Sequence, residues 1–342
     1  MPTSTNPVVD ATLDGLMDMR HWAERNPDKT CPFSGQLFRV CDEDYFAFPA
    51  ANQSLLSHYD ESPAHARSKM NKAGKDDGDT PARVFGRAVH CAILQNELFP
   101  KLYAVLDERP KQPDRPPELL GVTRQSKAGK EAIAAWEATW LPAYEVAFDA
   151  WEAAGKGKTL LKEGEMQAIY QIEARTTHDP FIKQFIDGGL AEVMVVARSP
   201  DHHGLWLKAK IDSWLPEKQI IVDLKTTRDT ASAFDRDLFK MGYEVQAAYY
   251  RDLVQLALGV DVRANLILSV EKYPPYEPRV LALSNKAIEL GRAIYRRQLA
   301  AHFLAVSTNR WPGYERKIEM VDPPSWKLKR EGLLANDEGA TA

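Results

Sequence analysis

The chain has 342 residues, of which 44% are hydrophobic and 27% charged. That profile excludes wholesale disorder, and the length admits two domains or one core with large extensions. Forty-four Lys and Arg residues against forty-eight Asp and Glu leave a formal charge of −4, which excludes a protein that coats nucleic acid by bulk positive charge but not a local basic channel.

The first 47 residues alternate short apolar and polar pieces without a period and read as an N-terminal arm or extension. A helix is expected to start near Asn52, a good N-cap residue, and a turn at Ser62-Pro63 leads into a second short helix. Residues 71–80 hold two glycines and many charges and read as a loop. In TPARVFGRAVHCAILQ, Val84, Ala88, Cys91 and Ala92 fall on one helical face, widened by Phe85, Val89 and Ile93, so a buried helix is expected. Residues 109–117 carry four prolines among Arg109, Lys111 and Arg115 and read as an extended basic loop. Residues 127–153 are helix-rich, with Ile133, Trp136, Trp140, Ala147 and Trp151 as the expected buried side, and a further helix fits 162–176. The tryptophans at that spacing suit core or interface better than base stacking.

After Gly188-Gly189 the period changes from helical to alternating. Strands are expected at 192–197, 205–212 and 219–225, then a helix from about Glu244 to Leu258 with Gly259 as its C-cap. Two more strands fit 263–270 and 278–283, followed by a long helix from Asn285 to about Val306 and a small polar tail after residue 330. The expected fold class is α/β (α+β), with a central mixed sheet flanked by helices and helical additions on its N-terminal side. Its expected parts are the arm at 1–47, a domain at 48–330 (helical to about 188, sheet core to about 306) and a disordered tail at 331–342.

Cys31, Cys41 and Cys91 cannot make a disulfide framework or a four-thiolate cluster and fit no common zinc spacing. They read as reduced thiols of a cytoplasmic protein. The N-terminus lacks the pattern of a signal peptide, and no stretch approaches the ~20 apolar residues of a membrane span. GKGKT at 155–159 lacks the upstream glycine of a phosphate loop, and GxGxxG and GxSxG are absent, so no nucleotide cofactor or hydrolase elbow is expected.

The chemistry concentrates in LWLKAKIDSWLPEKQIIVDLKTT. Asp212 ends one strand and Asp223 ends the next, with a hairpin between them, so both carboxylates can reach one side of a sheet. Lys225 follows Asp223 by two residues and so shares its face. Two carboxylates can hold Mg²⁺ through oxygen ligands, and a lysine beside them can orient or deprotonate a water or offset charge on a phosphate. Alone, an Asp-x-Lys is a common tripeptide and reads as an ordinary strand with a surface ion pair. Gln246 and Tyr250 lie one turn apart on a single helical face. His202-His203 sits in a polar turn and reads as a solvated hairpin.

This combination resembles the PD-(D/E)xK nuclease core, with Ile211-Asp212 in place of Pro-Asp. Gln246-Ala-Ala-Tyr-Tyr250 resembles the Gln-x-x-x-Tyr motif of its RecB-like branch, His90 that branch's helical histidine, and Glu192 the acidic residue before the Asp strand. FPAANQSLLSHYDESPAHARSKM, VFGRAVHCAILQNELFPKLYAV, GYEVQAAYY, YPPYEPRVLALS and WPGY are similar to phage and prophage recombination exonucleases of the RecE type, over residues 48 to 328. The resemblance implies a restriction-endonuclease-like core and an exodeoxyribonuclease degrading linear double-stranded DNA 5′ to 3′ with Mg²⁺, for which Mn²⁺ can substitute. It implies a ring-like homo-oligomer, commonly a tetramer, and a single-strand annealing partner.

Carried over residue by residue, Asp212 and Asp223 bind metal with the Leu224 carbonyl, Lys225 is the catalytic lysine, His90 and Glu192 complete the metal site, and Gln246 and Tyr250 steady it. Related iron–sulfur nucleases need four cysteines, and this chain has three. Arg83, Arg87, Arg109, Lys111 and Arg115 are candidates for DNA contacts, though basic loop residues are commonly just solvated. The alternative is a non-catalytic DNA-end-binding or assembly subunit on the same fold, against which the retained Lys225 speaks.

Overall fold

Alternation of Val, Ile and Leu with smaller or polar residues after residue 189 builds the centre of the fold. The computed structural model describes residues 10–11, 17–18, 36–72 and 80–333. Its main sheet holds β1 (Gln36–Arg39), β2 (Leu190–Arg198), β3 (Trp206–Leu215), β4 (Ile220–Thr227), β5 (Ala264–Glu271) and β6 (Pro278–Ala282), in that spatial order, with two-residue strands at Asp10–Ala11 and Met17–Asp18 beyond β1. Pairing is antiparallel from β1 to β4, parallel between β4 and β5, and antiparallel between β5 and β6. The expected central mixed sheet flanked by helices is therefore what the chain forms. Strand β2 starts at Leu190, two residues before the expected start.

The boundary expected at residue 47 runs through packed structure. Strand β1 pairs with β2, and helix α1 (Asp42–Ala47) follows directly, started by Cys41, whose sulfur accepts the Asp44 N–H. Phe38, Val40, Tyr45 and Phe48 are buried against Met194 and Val196. A four-residue edge strand pairs through its backbone and leaves little periodic signal, which is why the sequence does not announce it. The rest of the arm, and the tail from 334, lie outside the described residues. So does Cys31; Cys41 is half-buried and Cys91 buried.

Each sheet face is covered by two helices. Helices α2 (Pro81–Leu94) and α4 (Glu163–Thr177) cover Leu215, Val222, Leu224, Leu266, Leu268 and Val270. Helix α2 starts where its sequence says it should, with the Thr80 hydroxyl accepting the Arg83 N–H and Pro81 in the first turn. On the other face α5 (Tyr243–Leu258) and α6 (Asn285–Thr308) cover Val193, Val195, Ala209, Ile211, Trp214 and Ile221. Gly259 closes α5 at φ 67°, a left-handed C-cap that glycine adopts at no steric cost. The two helices meet backbone to side: a Cβ at Gly291 of α6 would stand 2.1 Å from the Glu244 carbonyl oxygen of α5.

Helix α3 (Lys127–Gly155) differs from expectation in its face. Ile133 is buried, but Ala147 is exposed and the tryptophans are only half-buried. The stripe instead continues through Trp136, Trp140, Tyr144, Phe148 and Trp151, with ring centroids 5.4 to 5.9 Å apart. The 105–122 segment lies along it: the Trp151 indole donates to Asp107 O at 2.9 Å, and Arg109 stacks 5.0 Å from the Phe148 ring centroid. In the turn before β3, His202 bonds the Ser199 hydroxyl at 2.9 Å, and both histidine rings meet Phe303 of α6. No helix among the described residues is long and apolar enough to cross a membrane.

Candidate active site

The site forms where β3 and β4 part. Their ladder runs from Leu215–Ile220 to Ser213–Val222 and carries no rung at the next pair, Asp212 and Asp223. In place of a backbone acceptor, Asp212 Oδ2 takes the Leu224 N–H at 2.8 Å. One carboxylate thus closes the ladder and faces the opening it leaves.

Three elements converge on that opening. His90, on the last turns of α2, places Nδ1 3.6 Å from Glu192 Oε1 and 3.6 Å from Asp212 Oδ2. Ligand atoms of His90, Glu192 and Asp212 all lie within 4.8 Å of one another. An imidazole nitrogen with two carboxylate oxygens is a donor set suited to a divalent cation. Of the positions the sequence nominated for metal, the structure groups these three.

Asp223 stands beside that group with both oxygens engaged. Lys225 Nζ is 2.6 Å from Oδ2, and the Gln246 amide of α5 donates to Oδ1 at 2.9 Å. Lys225 also lies 5.0 Å from the Tyr243 ring centroid. Tyr250, one turn beyond Gln246, lines a cavity of about 360 Å³ together with Tyr45, Asn52, Ser54, Ser57 and Tyr243. The Leu224 side chain points the other way, into the core under α2 and α4.

Two site residues escaped the sequence reading. Lys210 bridges Glu192 Oε2 at 2.7 Å and Asp42 Oδ1 at 2.5 Å. Lys210 precedes Asp212 by two residues on the same strand, so strand alternation alone could have nominated it. Asp42 belongs to the stretch without a period, and nothing in the sequence marks it.

The charges explain the protonation. Burial pushes the Asp212 carboxyl up to about 6; His90 opposes that shift and Asp223 adds to it. Burial also acts to raise Glu192, but His90 and Lys210 outweigh it and hold that carboxyl below the ordinary range. For His90 burial acts downward, yet Asp212 and Glu192 raise it above the usual imidazole value. Burial likewise works against the Lys225 charge, and Asp223 and Asp212 more than offset it, so the ammonium is held above the ordinary lysine range. A lysine so held keeps its positive charge beside Asp223.

The basic candidates divide. Arg83 and Arg87 are exposed on α2, with Arg87 reaching the Tyr103 phenol. Arg109, Lys111 and Arg115 sit along α3 instead. Arg109 stacks there, Lys111 pairs with Glu108 at 2.9 Å, and Arg115 donates to Val122 O at 3.1 Å.

A solved structure from Eubacterium rectale, described as a "Putative exonuclease", aligns over 82% of this chain and 92% of its own, at 14% identity and a TM-score of 0.48. A phage related exonuclease from Haemophilus somnus 129PT aligns over 56% of this chain and 94% of its own, at 13% identity and a TM-score of 0.28. No curated protein matches the chain in sequence. Residues 52–324 match the family described as "PDDEXK-like domain of unknown function (DUF3799)". That match takes in every residue of the site except Asp42 and Tyr45, so the chain belongs to this PDDEXK-like family.

Proposed function

We propose that this chain is a metal-dependent exodeoxyribonuclease that degrades one strand from the ends of linear double-stranded DNA, 5′ to 3′, and leaves 3′ single strands for recombination. The observation that carries the reading is the His90–Glu192–Asp212 group set against the Asp223–Lys225 ion pair. Binding alone needs no such pairing of a cation-holding group with a fixed lysine. Membership of a PDDEXK-like family supports a nuclease, and the RecE-type motifs support the finer assignment.

His90, Glu192 and Asp212 would hold a divalent ion, Mg²⁺ or Mn²⁺, with Asp223 and the Leu224 carbonyl as further oxygen ligands. Such an ion supplies a water of lowered pKa and positive charge for the attacking and leaving oxygens of a phosphodiester. The protein's own groups do the rest. Lys225 keeps its proton and lays its charge against the scissile phosphate, where negative charge grows in the transition state. Asp223 fixes the lysine, and Gln246 fixes Asp223. Tyr250 and the cavity it lines would receive the end of the strand being shortened. The same resemblance makes a tetrameric ring, a single-strand annealing partner and a cytoplasmic location part of the proposal.

The test is degradation of linear duplex with Mg²⁺ and with excess EDTA, using native protein and Lys225→Ala, with 5′ and 3′ ends labelled separately. Loss of the 5′ label first, abolished by EDTA and by the substitution, is the expected result. Undiminished degradation by Lys225→Ala, or none by the native protein, overturns the catalytic assignment.

A further inference from the structure

Just past the site, the C-terminal ends of β4 and β5 lead into two cations, Arg228 and Lys272. These strands run parallel, with Thr226 opposite Val270 and Thr227 opposite Glu271. The next residues, Arg228 and Lys272, stand in bends just past the strand ends, near enough for Arg228 to act on the Lys272 charge. The Lys272 N–H donates to Thr227 O at 2.9 Å, the last rung of this ladder. Leu224, Leu268 and Val270 face α2 and α4, and the Lys272 side chain lies on that side. Lys272 Nζ indeed lies 5.6 Å from the ring centroid of Phe85 on α2.

Among the described residues, the nearby carboxylates make contacts of their own. Glu271 accepts the N–H groups of Ala231 and Glu277, on the opposite side of the strand from Lys272. Asp229 accepts the Thr230 N–H at 2.9 Å. Glu277 pairs with Arg175 at 2.7 Å. Neither Arg228 nor Lys272 has an ion-pair partner among the described residues.

Like charges on adjacent strands repel and weaken a sheet. Burial and Arg228 together pull the Lys272 ammonium below the ordinary lysine range. An arrangement that works against its own charges gains when an anion enters between them. The start of α2 adds the positive end of a 14-residue helix and the exposed Arg83. Phe85, beside which Lys272 lies, and His90 of the cation-holding group are five residues apart on α2, about 7.5 Å along its axis. One DNA strand carries a phosphate about every 3.4 Å of helix axis, so a strand reacting at Lys225 presents further phosphates at this distance.

We infer that Arg228 and Lys272 form a phosphate-binding site for the DNA strand that flanks the scissile bond. This inference rests on the nuclease reading above and adds a contact that the motif residues do not include. The contact is to backbone charge and so is independent of base sequence. It positions the strand and does not touch the reacting atoms.

The experiment measures binding of end-labelled linear duplex by anisotropy in EDTA, across a range of salt, and single-turnover cleavage at saturating DNA in Mg²⁺. Native protein is compared with Arg228→Gln/Lys272→Gln, with the charge-keeping Arg228→Lys/Lys272→Arg, and with Lys156→Gln/Lys158→Gln at the far end of α3. The Gln pair is expected to bind about tenfold or more weakly. Its slope of log affinity against log salt should be shallower by about 1.8, the value for two phosphate contacts. Cleavage at saturation should stay within about twofold of native, and the charge-keeping pair should bind as native does.

Native cleavage combined with unaltered binding and slope in the Gln pair overturns the phosphate site and leaves the nuclease reading standing. An equal loss in the α3 pair does the same, because it reports bulk charge. Native protein that neither binds nor cleaves DNA removes both.

Discussion

Glu192 stands directly across the β2–β3 pair from Asp212, and it is the residue of β2 whose backbone is left-handed, at φ 53°. The register is unbroken on either side, with Ala191 opposite Ser213 and Val193 opposite Ile211. No residue is inserted, so this is a local turn of the backbone in an otherwise regular strand. It brings the carboxylate within reach of both His90 and Lys210. For a residue with a Cβ that conformation costs about 1–2 kcal/mol.

The cost can be measured without the carboxylate. Glu192→Gly and Glu192→Ala both remove the ligand, and both should lose metal binding by calorimetry. Only glycine adopts a positive φ freely. We expect the Gly variant to be the more stable of the two by about 1 kcal/mol in urea unfolding, although glycine within a strand is otherwise the weaker choice. An Ala variant of equal or greater stability would mean that the left-handed turn relaxes once its side chain is gone.

Asp212 should limit stability in the metal-free protein. Its carboxyl is raised to about 6, first by burial and then by Asp223, against the pull of His90, from an unfolded value near 4. A group whose folded pKa is raised holds its proton more tightly when folded. Its contribution is therefore fully present below about pH 4 and is lost as pH rises through about 6. At pH 8 the ionised carboxylate costs up to about 3 kcal/mol, from about 1.36 kcal/mol per pKa unit. Asparagine can still accept the Leu224 N–H without carrying the charge. In EDTA at pH 8, Asp212→Asn should unfold higher than native by about 1–3 kcal/mol, and the gap should close towards pH 4. An Asn variant no more stable than native at pH 8 would show that the buried charge is already compensated.

How much of this was legible depends on whether a residue's role is written in its own spacing. Asp223, Lys225, Gln246 and Tyr250 were legible because a period of two and a period of four put each pair on one face, and the structure keeps both pairs together. Lys210 lay one step away by the same alternation. Glu192's left-handed backbone leaves no mark in a glutamate codon, and Asp42 reaches the site only because β1 docks on β2.

The contacts of Arg109 and Arg115 with Phe148 and Val122 arise only on folding and have no mark in the sequence. Ala147 was placed on the buried face by a helical count, but the aromatic stripe runs through Tyr144 and Phe148 at four-residue steps and turns Ala147 outward.

Gly291 couples the packing of two helices to the chemistry. A methyl group there meets the Glu244 carbonyl oxygen at 2.1 Å and the Val245 nitrogen at 2.9 Å. Both are backbone atoms and cannot swing aside, so Gly291→Ala must move α6 off α5 or shift α5 along the sheet. Overpacking of this kind costs about 1–3 kcal/mol. Gln246 rides on the first turn of α5, and its amide holds Asp223 at 2.9 Å.

A hydrogen bond to a charged group is worth about 1.5–3 kcal/mol, so losing it by Gln246→Ala should lower single-turnover cleavage by about tenfold or more. If Gly291→Ala acts through that same bond, it should slow cleavage too. Combining the substitutions should then add little to the loss from Gln246→Ala alone, because coupled positions are not additive. Losses that multiply would place the effect of Gly291 elsewhere in the helix pair. A Gly291→Ala protein with native stability and native rate would mean that the α5–α6 contact has more room than a 2.1 Å approach allows.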